Sequence, residues 1–114
     1  MGTPKQQKGA RGEDIAAEYL EKLGYTIIKR NARLSHLEID IIAQDKNCLV
    51  FVEVKHALTD DFGHPAAWIN KKKQERLRRA VQRYIDTHDI GDKDFRIDAV
   101  TIYKGEIEHY KAAF

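Results

Sequence analysis

The apolar residues near the N-terminus recur at the spacing of one helical face. This stripe consists of Ile15, Ala16, Tyr19, Leu20 and Leu23. A stripe of this period is typical of an amphipathic helix, and the glycine that follows, Gly24, is a common helix end. We therefore predict a helix that begins at Gly12. Residues 1–11 are polar, basic and without period, so we expect a flexible basic tail there and a single domain over residues 12–114.

Shorter apolar runs follow, and their alternation predicts strands. Tyr25–Lys29 is one such run, and Asn31–Leu37 is predicted to be an irregular, partly basic connection. Glu38–Gln44 and Cys48–Lys55 are predicted to form a β-hairpin. One face of this hairpin carries Ile39, Ile41, Ala43, Val50, Val52 and Val54, and the other carries Ile42, Leu49 and Phe51. Because both faces are apolar, we expect central strands that are covered on each side.

The second half of the chain alternates a helical pattern with strand patterns. Thr59–Pro65 is predicted to be a loop, and Ala66 to about His88 a long helix. Phe95–Tyr103 and Glu106–Tyr110 are predicted strands, joined by a Lys104-Gly105 turn. The order is thus α, β, hairpin, α, β, β. This order predicts the α/β class, with helices flanking a central mixed sheet.

Length and composition narrow the possible classes of protein. The chain has 114 residues, 42% of them hydrophobic, which favours one domain with one core. Its net charge of +2 does not identify a partner. The single cysteine cannot form an internal disulfide, and no apolar segment resembles a signal peptide or a membrane span. We expect a cytoplasmic protein that is not inserted in a membrane.

Basic residues are concentrated on one face of the long predicted helix. We call this face the basic stripe, and it consists of Lys72, Arg76, Arg79 and Arg83. Such a face either binds the phosphates of a nucleic acid or is an ordinary solvated helix surface. The sequence leaves both interpretations open.

Four ionisable residues lie at one end of the predicted hairpin: Glu38, Asp40, Glu53 and Lys55. A two-residue turn at Lys46-Asn47 would place Asp40 opposite Glu53, whereas a three-residue turn would send them to opposite faces. We predict the two-residue turn, because the other register would mix the face of Ile39 and Ile41 with the charged one. Two facing carboxylates repel each other unless a cation lies between them, so Asp40 and Glu53 are candidate ligands for Mg²⁺ or Mn²⁺. The alternative is a cross-strand ion pair between a carboxylate and Lys55.

Three segments together resemble a known family. GEDIAAEYLEKLGY, LEIDIIAQD and LVFVEVKHA are similar to the YraN-like family of small bacterial endonuclease-related proteins, which is itself similar to archaeal Holliday-junction resolvases and other PD-(D/E)XK nucleases. The resemblance implies a restriction-endonuclease-like αβββαβ sandwich in which Asp40 and Glu53 bind the metal. It further implies that Lys55 positions the attacking water, that Glu13 adds an acidic group, and that Gln74 lies beside the site. Glu13 could instead be a favourable charge in the first turn of its helix.

The resemblance implies metal-assisted hydrolysis of phosphodiester bonds, with nucleic acid, structured or branched DNA in particular, as the substrate. Nucleases that cut both strands commonly work in pairs, so a homodimer is compatible with this function. The sequence departs from the family pattern at two places: Leu37 replaces a usual glycine, and His56-Ala57 replaces a basic or hydroxyl pair. Two other functions remain open: a nucleic-acid-binding protein that does not cleave, and a partner in a protein assembly.

Overall fold

In the part of the chain that it describes, the computed structural model has two long helices and a five-stranded mixed sheet. It describes residues 4–34, 36–57, 64, 67 and 69–114, with residues 4–11 described through their backbone alone. In chain order the elements are α1 (Pro4–Lys22), β1 (Thr26–Leu34), β2 (Leu37–Asp45), β3 (Cys48–His56), α2 (Lys71–Thr87), β4 (Asp94–Tyr103) and β5 (Glu106–Tyr110). The α/β class with a mixed sheet, predicted from the pattern, is confirmed.

Helix α1 is longer than its apolar stripe. It begins at Pro4, so the predicted start at Gly12 was wrong, and residues 4–11 are helical. Proline suits the first helical position, and the lysine, glutamine, alanine and arginine residues that follow are good helix formers but do not form an apolar stripe. The division into a tail and a domain from residue 12 stays a prediction.

Strand β1 also extends further than predicted. It reaches Leu34, which pairs with Leu37 of β2, so the segment that we predicted to be irregular is largely strand. A register shift between Ile27 and Lys29 and a φ of 52° at Asn31 interrupt its regular geometry. Pairing with β2 supplies the backbone hydrogen bonds that the polar composition of this segment did not predict.

The β2–β3 hairpin has the predicted two-residue turn. Asp45 pairs with Cys48, and the same register continues to Ile41 opposite Val52. The three-residue turn is thereby excluded. Ile39 differs from the prediction, because it packs with Ile42 rather than with Ile41. The regular β2–β3 pairing ends at Ile41, so the alternation of faces does not continue past it.

The sheet has the strand order β1-β2-β3-β4-β5, and only the β3–β4 pair is parallel. Helix α1 covers one face through Ala16, Ala17 and Leu20. Helix α2 covers the other through Ala80, Val81 and Tyr84. The central strands are therefore buried on both sides, as predicted. Neither described helix combines the length and the apolar composition needed to cross a bilayer.

Helix α2 begins at Lys71, later than the predicted Ala66, and ends at Thr87. The Asn70 side chain accepts a hydrogen bond from the Lys73 backbone N–H at 2.8 Å and so caps the first turn. The predicted 59–65 loop falls outside the described residues except for His64, as do residues 66 and 68 of the predicted helix.

A charged network is buried around Asp98 of β4. We did not predict this network from the sequence. Asp98 of β4 is completely buried. Its carboxylate accepts hydrogen bonds from Arg96, from the Ala112 backbone N–H and from His109 at 2.7–3.0 Å. Although burial works against ionisation, the hydrogen bonds from His109, Ala112 and Arg96 hold the pKa of Asp98 below its ordinary value. The network ties β5 and the chain end to the core.

Candidate functional site

Three carboxylates converge where β2 begins and α1 passes over the sheet. We call Glu13, Glu38 and Asp40 the acidic cluster, because one carboxylate oxygen of each lies within 4.8 Å of the other two. Glu13 comes from α1, whereas Glu38 and Asp40 come from β2. The cluster therefore depends on the packing of α1 against the sheet as well as on the strand itself.

Asp40 is fixed to the neighbouring strand. Its Oδ2 accepts a hydrogen bond from the Val54 backbone N–H at 2.8 Å. Burial and the nearby negative charge of Glu53 raise the pKa of Asp40 to about 7, against the opposing effect of the Val54 N–H. A carboxyl group in this state takes up a proton near neutral pH unless a cation replaces the proton.

Glu13 lies in the middle of α1, because the helix begins at Pro4. This position excludes the alternative that Glu13 is a favourable charge in the first helical turn. Burial raises the pKa of the Glu13 carboxyl, while a hydrogen bond from Asn31 and the charge of Arg30 oppose this rise. The guanidinium of Arg30 lies 3.9 Å from the Glu13 carboxylate and 2.6 Å from Asp14. Helix α1 and strand β1 thus hold Glu13 in place together.

Glu53, the second predicted metal ligand, has a different partner. Its side chain is 9% exposed, and its Oε1 lies 2.7 Å from the ammonium group of Lys73 on α2. The charge of Glu53 still acts on Asp40, whose pKa it raises. Glu53 therefore lies near the acidic cluster and forms an ion pair with Lys73. In the cluster itself, Glu38 occupies the place that we predicted for Glu53.

The two remaining predicted catalytic residues have separate environments. Lys55 is exposed on β3 and forms no ion pair with another residue in the described part of the chain. Gln74 donates a hydrogen bond from its amide to the carbonyl oxygen of Ile69 at 2.8 Å. This contact supports the start of α2, and nothing in the described ranges links Gln74 to the acidic cluster. Their catalytic roles stay predictions.

A groove runs from the acidic cluster along α2, and we call it the α2 groove. Two adjoining cavities of about 360 and 450 Å³ form it. One wall is the tip of the β1–β2 hairpin, with His36 and Leu37, and Glu38 lies at the cluster end. The other wall carries all four residues of the basic stripe. The predicted basic face therefore lines a concave surface rather than an isolated helix side.

Two site residues could not be selected from the sequence alone. Glu38 was one of the four ionisable residues of the hairpin, but its proximity to Glu13 depends on where α1 packs. Lys73 lies within a run of three lysines, one helical turn before the buried Leu77. This spacing places Lys73 on the sheet-facing side of α2. A lysine on that side suggests an acidic partner on the sheet, and this is the one feature of the sequence that could have identified Lys73.

The donor set of the acidic cluster fits a hard divalent cation. It offers three carboxylate oxygens, which suit Mg²⁺ and Mn²⁺ better than softer metals. A cation would also offset burial and the negative charge of Glu53, the two effects that raise the pKa of Asp40. No cysteine or histidine takes part in the cluster, so the residues do not fit a structural zinc site.

Comparison with known proteins finds relatives that belong to one family. The model of "Uncharacterised protein family UPF0102" matches residues 12–102. A family protein of Flavobacterium johnsoniae is 45% identical over 116 residues, covering 93% of this chain and 92% of that protein. Another from Sulfurihydrogenibium is 41% identical, covering 96% of each chain. A solved structure of Pyrococcus furiosus SfsA in complex with Ca²⁺ is 20% identical with a TM-score of 0.35, and the match covers 94% of this chain and 63% of that one.

The family match spans the three segments on which the resemblance was based. The YraN-like resemblance is therefore confirmed. This chain belongs to protein family UPF0102, the YraN-like family.

Proposed function

We propose that this protein is a nuclease that hydrolyses phosphodiester bonds in nucleic acid with Mg²⁺ or Mn²⁺, and that structured or branched DNA is its substrate. The observation that carries the proposal is the position of Glu38, which belongs to the acidic cluster and also lines the α2 groove. A phosphate bound by the basic stripe would lie next to carboxylates that suit a hard cation. The five-stranded α/β fold is compatible with the restriction-endonuclease-like sandwich that we propose.

The proposed roles follow from the surroundings of each side chain. Glu13, Glu38 and Asp40 would hold the cation, and Glu53 would join them when Lys73 releases it. When bound, the cation polarises a phosphoryl oxygen and lowers the pKa of a water molecule. The exposed ammonium group of Lys55 would stabilise the negative charge that develops on the phosphate.

A second candidate function is nucleic-acid binding without cleavage. The observation that favours it is the 2.7 Å ion pair between Lys73 and Glu53, because this carboxylate already has a cationic partner. A protein of this kind would keep the basic stripe and bind DNA equally well in EDTA. The two functions therefore differ in their dependence on the metal.

The test combines metal binding with cleavage. Mn²⁺ is titrated by calorimetry into the wild type, into Asp40→Asn and into Glu21→Gln, which changes an exposed acid of α1 outside the cluster. The same proteins are then incubated with a four-way junction, a duplex and a single strand of DNA. We expect saturable Mn²⁺ binding and cleavage by the wild type and Glu21→Gln, and the loss of both in Asp40→Asn.

The alternative outcomes separate the candidates. If the wild-type protein binds DNA but does not cleave it with Mn²⁺, the nuclease function is refuted and nucleic-acid binding without cleavage remains. Cleavage that is equal in wild type and Asp40→Asn would place the chemistry outside the acidic cluster or in a contaminant. A gel-filtration measurement with the junction tests the expected homodimer, because cutting both strands calls for two copies.

A further inference from the structure

The α2 groove has a chemistry that changes along its length. Glu38 lies at one end, and it is the only acidic side chain among the described residues that line the groove. Beyond it the wall is cationic as far as Arg83. Arg79 is partly paired with Glu75 at 3.8 Å, but both side chains are largely exposed, so this pair competes weakly with other anions. The groove is therefore suited to a chain of negative charges.

The floor and the second wall are not cationic. Leu77 is buried at the base of α2, Leu37 is half-buried opposite it, and the imidazole of His36 is exposed at the hairpin tip. Apolar surface and an aromatic ring accept the face of a nucleobase, whereas phosphates prefer the cationic wall. A duplex hides its base faces within the stack, so only an unpaired strand can use both surfaces at once.

The size of the groove agrees with this chemistry. Its two cavities of about 360 and 450 Å³ are each within the range of roughly 300–1,000 Å³ that holds one small organic ligand. Each space is large enough for a single nucleotide. The basic stripe spans twelve residues of α2 from Lys72 to Arg83, or about 16 Å at a rise of about 1.5 Å per residue. Its cations therefore extend along the strand beyond the first nucleotide.

We propose that the α2 groove binds one or two unpaired nucleotides, with their phosphates on the basic stripe and a base against His36 and Leu37. This inference rests on the proposed function and specifies its substrate: a nucleic acid in which an unpaired segment adjoins the phosphate at the acidic cluster. Branched DNA with an open junction or a single-stranded arm meets this requirement. Fully paired, blunt DNA does not.

The experiment measures binding in EDTA, so that nothing is cleaved. Fluorescence anisotropy compares a labelled thymidine oligonucleotide with a blunt, fully paired duplex made from two complementary strands of the same length. The variants are His36→Ala on the hairpin tip and Arg76→Ala on the basic stripe. The matched control is Arg78→Ala, which removes an exposed arginine of α2 that does not line the groove.

We expect the wild type to bind the single strand more tightly than the duplex. His36→Ala should weaken single-strand binding at least about fivefold, because base stacking on a side chain contributes about 1–3 kcal/mol. Duplex binding by this variant should not change. If all four stripe residues contact phosphates, the plot of log K against log salt for the single strand should have a slope of about −2.8, and Arg76→Ala should reduce it by about 0.7.

Failure of this inference is distinct from failure of the proposed function. Equal affinity for both DNA forms, or identical effects of His36→Ala and Arg78→Ala, would overturn the inference. Mn²⁺-dependent cleavage of the duplex in the same preparation would then leave the nuclease intact. Single-strand binding that depends on His36, without cleavage of any substrate, would instead support the groove and refute the nuclease.

Discussion

Replacement of Asp40 by asparagine should stabilise the metal-free protein, and more so as the pH rises. Folding raises the pKa of Asp40 from 3.8 to about 7, so between these values the folded state holds a proton that the unfolded state has released. Wild-type stability therefore falls with rising pH through this window. The rise in pKa corresponds to about 4 kcal/mol of lost stability above pH 8. Asparagine carries no charge to bury and can still accept the Val54 N–H.

The assay is urea unfolding of both proteins in EDTA from pH 5 to pH 8.5. The stability difference between Asp40→Asn and wild type should increase by about 3 kcal/mol across this range and level off above pH 8. Glu21→Gln, at an exposed position of α1, serves as the control for general effects of removing a negative charge. A difference for Asp40→Asn that is constant with pH would refute the reasoning. Saturating Mn²⁺ should stabilise the wild type and reverse the order of the two proteins at high pH.

Three further predictions concern stability. Lys73→Ala removes the cation 2.7 Å from Glu53 and leaves a buried carboxylate without a partner. The free energy of unfolding in urea should fall by about 1–2 kcal/mol, and by less with Mn²⁺, whereas an unchanged midpoint would contradict a stabilising role of the ion pair. Asp98→Asn should lower the free energy of unfolding by about 3–5 kcal/mol, because Arg96 loses its buried charged partner. A melting temperature close to that of the wild type would contradict a stabilising role of the network. Gly105→Ala should lower the free energy of unfolding by about 1–2 kcal/mol, because φ is +81° at this position. An added Cβ meets nothing within 4 Å, so backbone strain alone causes the loss. Unaltered stability would show that the turn relaxes.

Much of the sheet could be predicted because strand pairing is local and alternating. The apolar alternation in β2 and β3 identified both strands, and the short Lys46-Asn47 turn set their register. This register predicts Asp40 opposite Glu53, but the regular pairing ends with Ile41 opposite Val52. The charge of Glu53 nevertheless raises the pKa of Asp40. Hairpin geometry follows from a few neighbouring residues, so a sequence contains enough information to derive it.

The remaining site residues depend on contacts between distant elements. Glu13 and Lys73 reach the site from two helices that pack on opposite faces of the sheet. An apolar stripe indicates which side of a helix faces the sheet, but not how far along the sheet the helix packs. The start of α1 was missed for a related reason, since residues 4–11 form helix without an apolar stripe. Ile39 was placed on the wrong face because regular pairing with β3 stops at Ile41.

The single parallel pair in the sheet has a consequence for the order of folding. The β2–β3 hairpin closes across two residues, whereas β4 reaches β3 only after the chain has passed through all of α2, so that Cys48 pairs with Asp94. Closing the longer loop carries the greater entropic cost, and we expect it to form later in folding. Asp40 and its Val54 partner would then be positioned early, and Lys73 would arrive with the late step. Because the acidic cluster comes from α1 and β2, the ability to bind Mn²⁺ in a refolding experiment should develop before the ion pair between Lys73 and Glu53 forms.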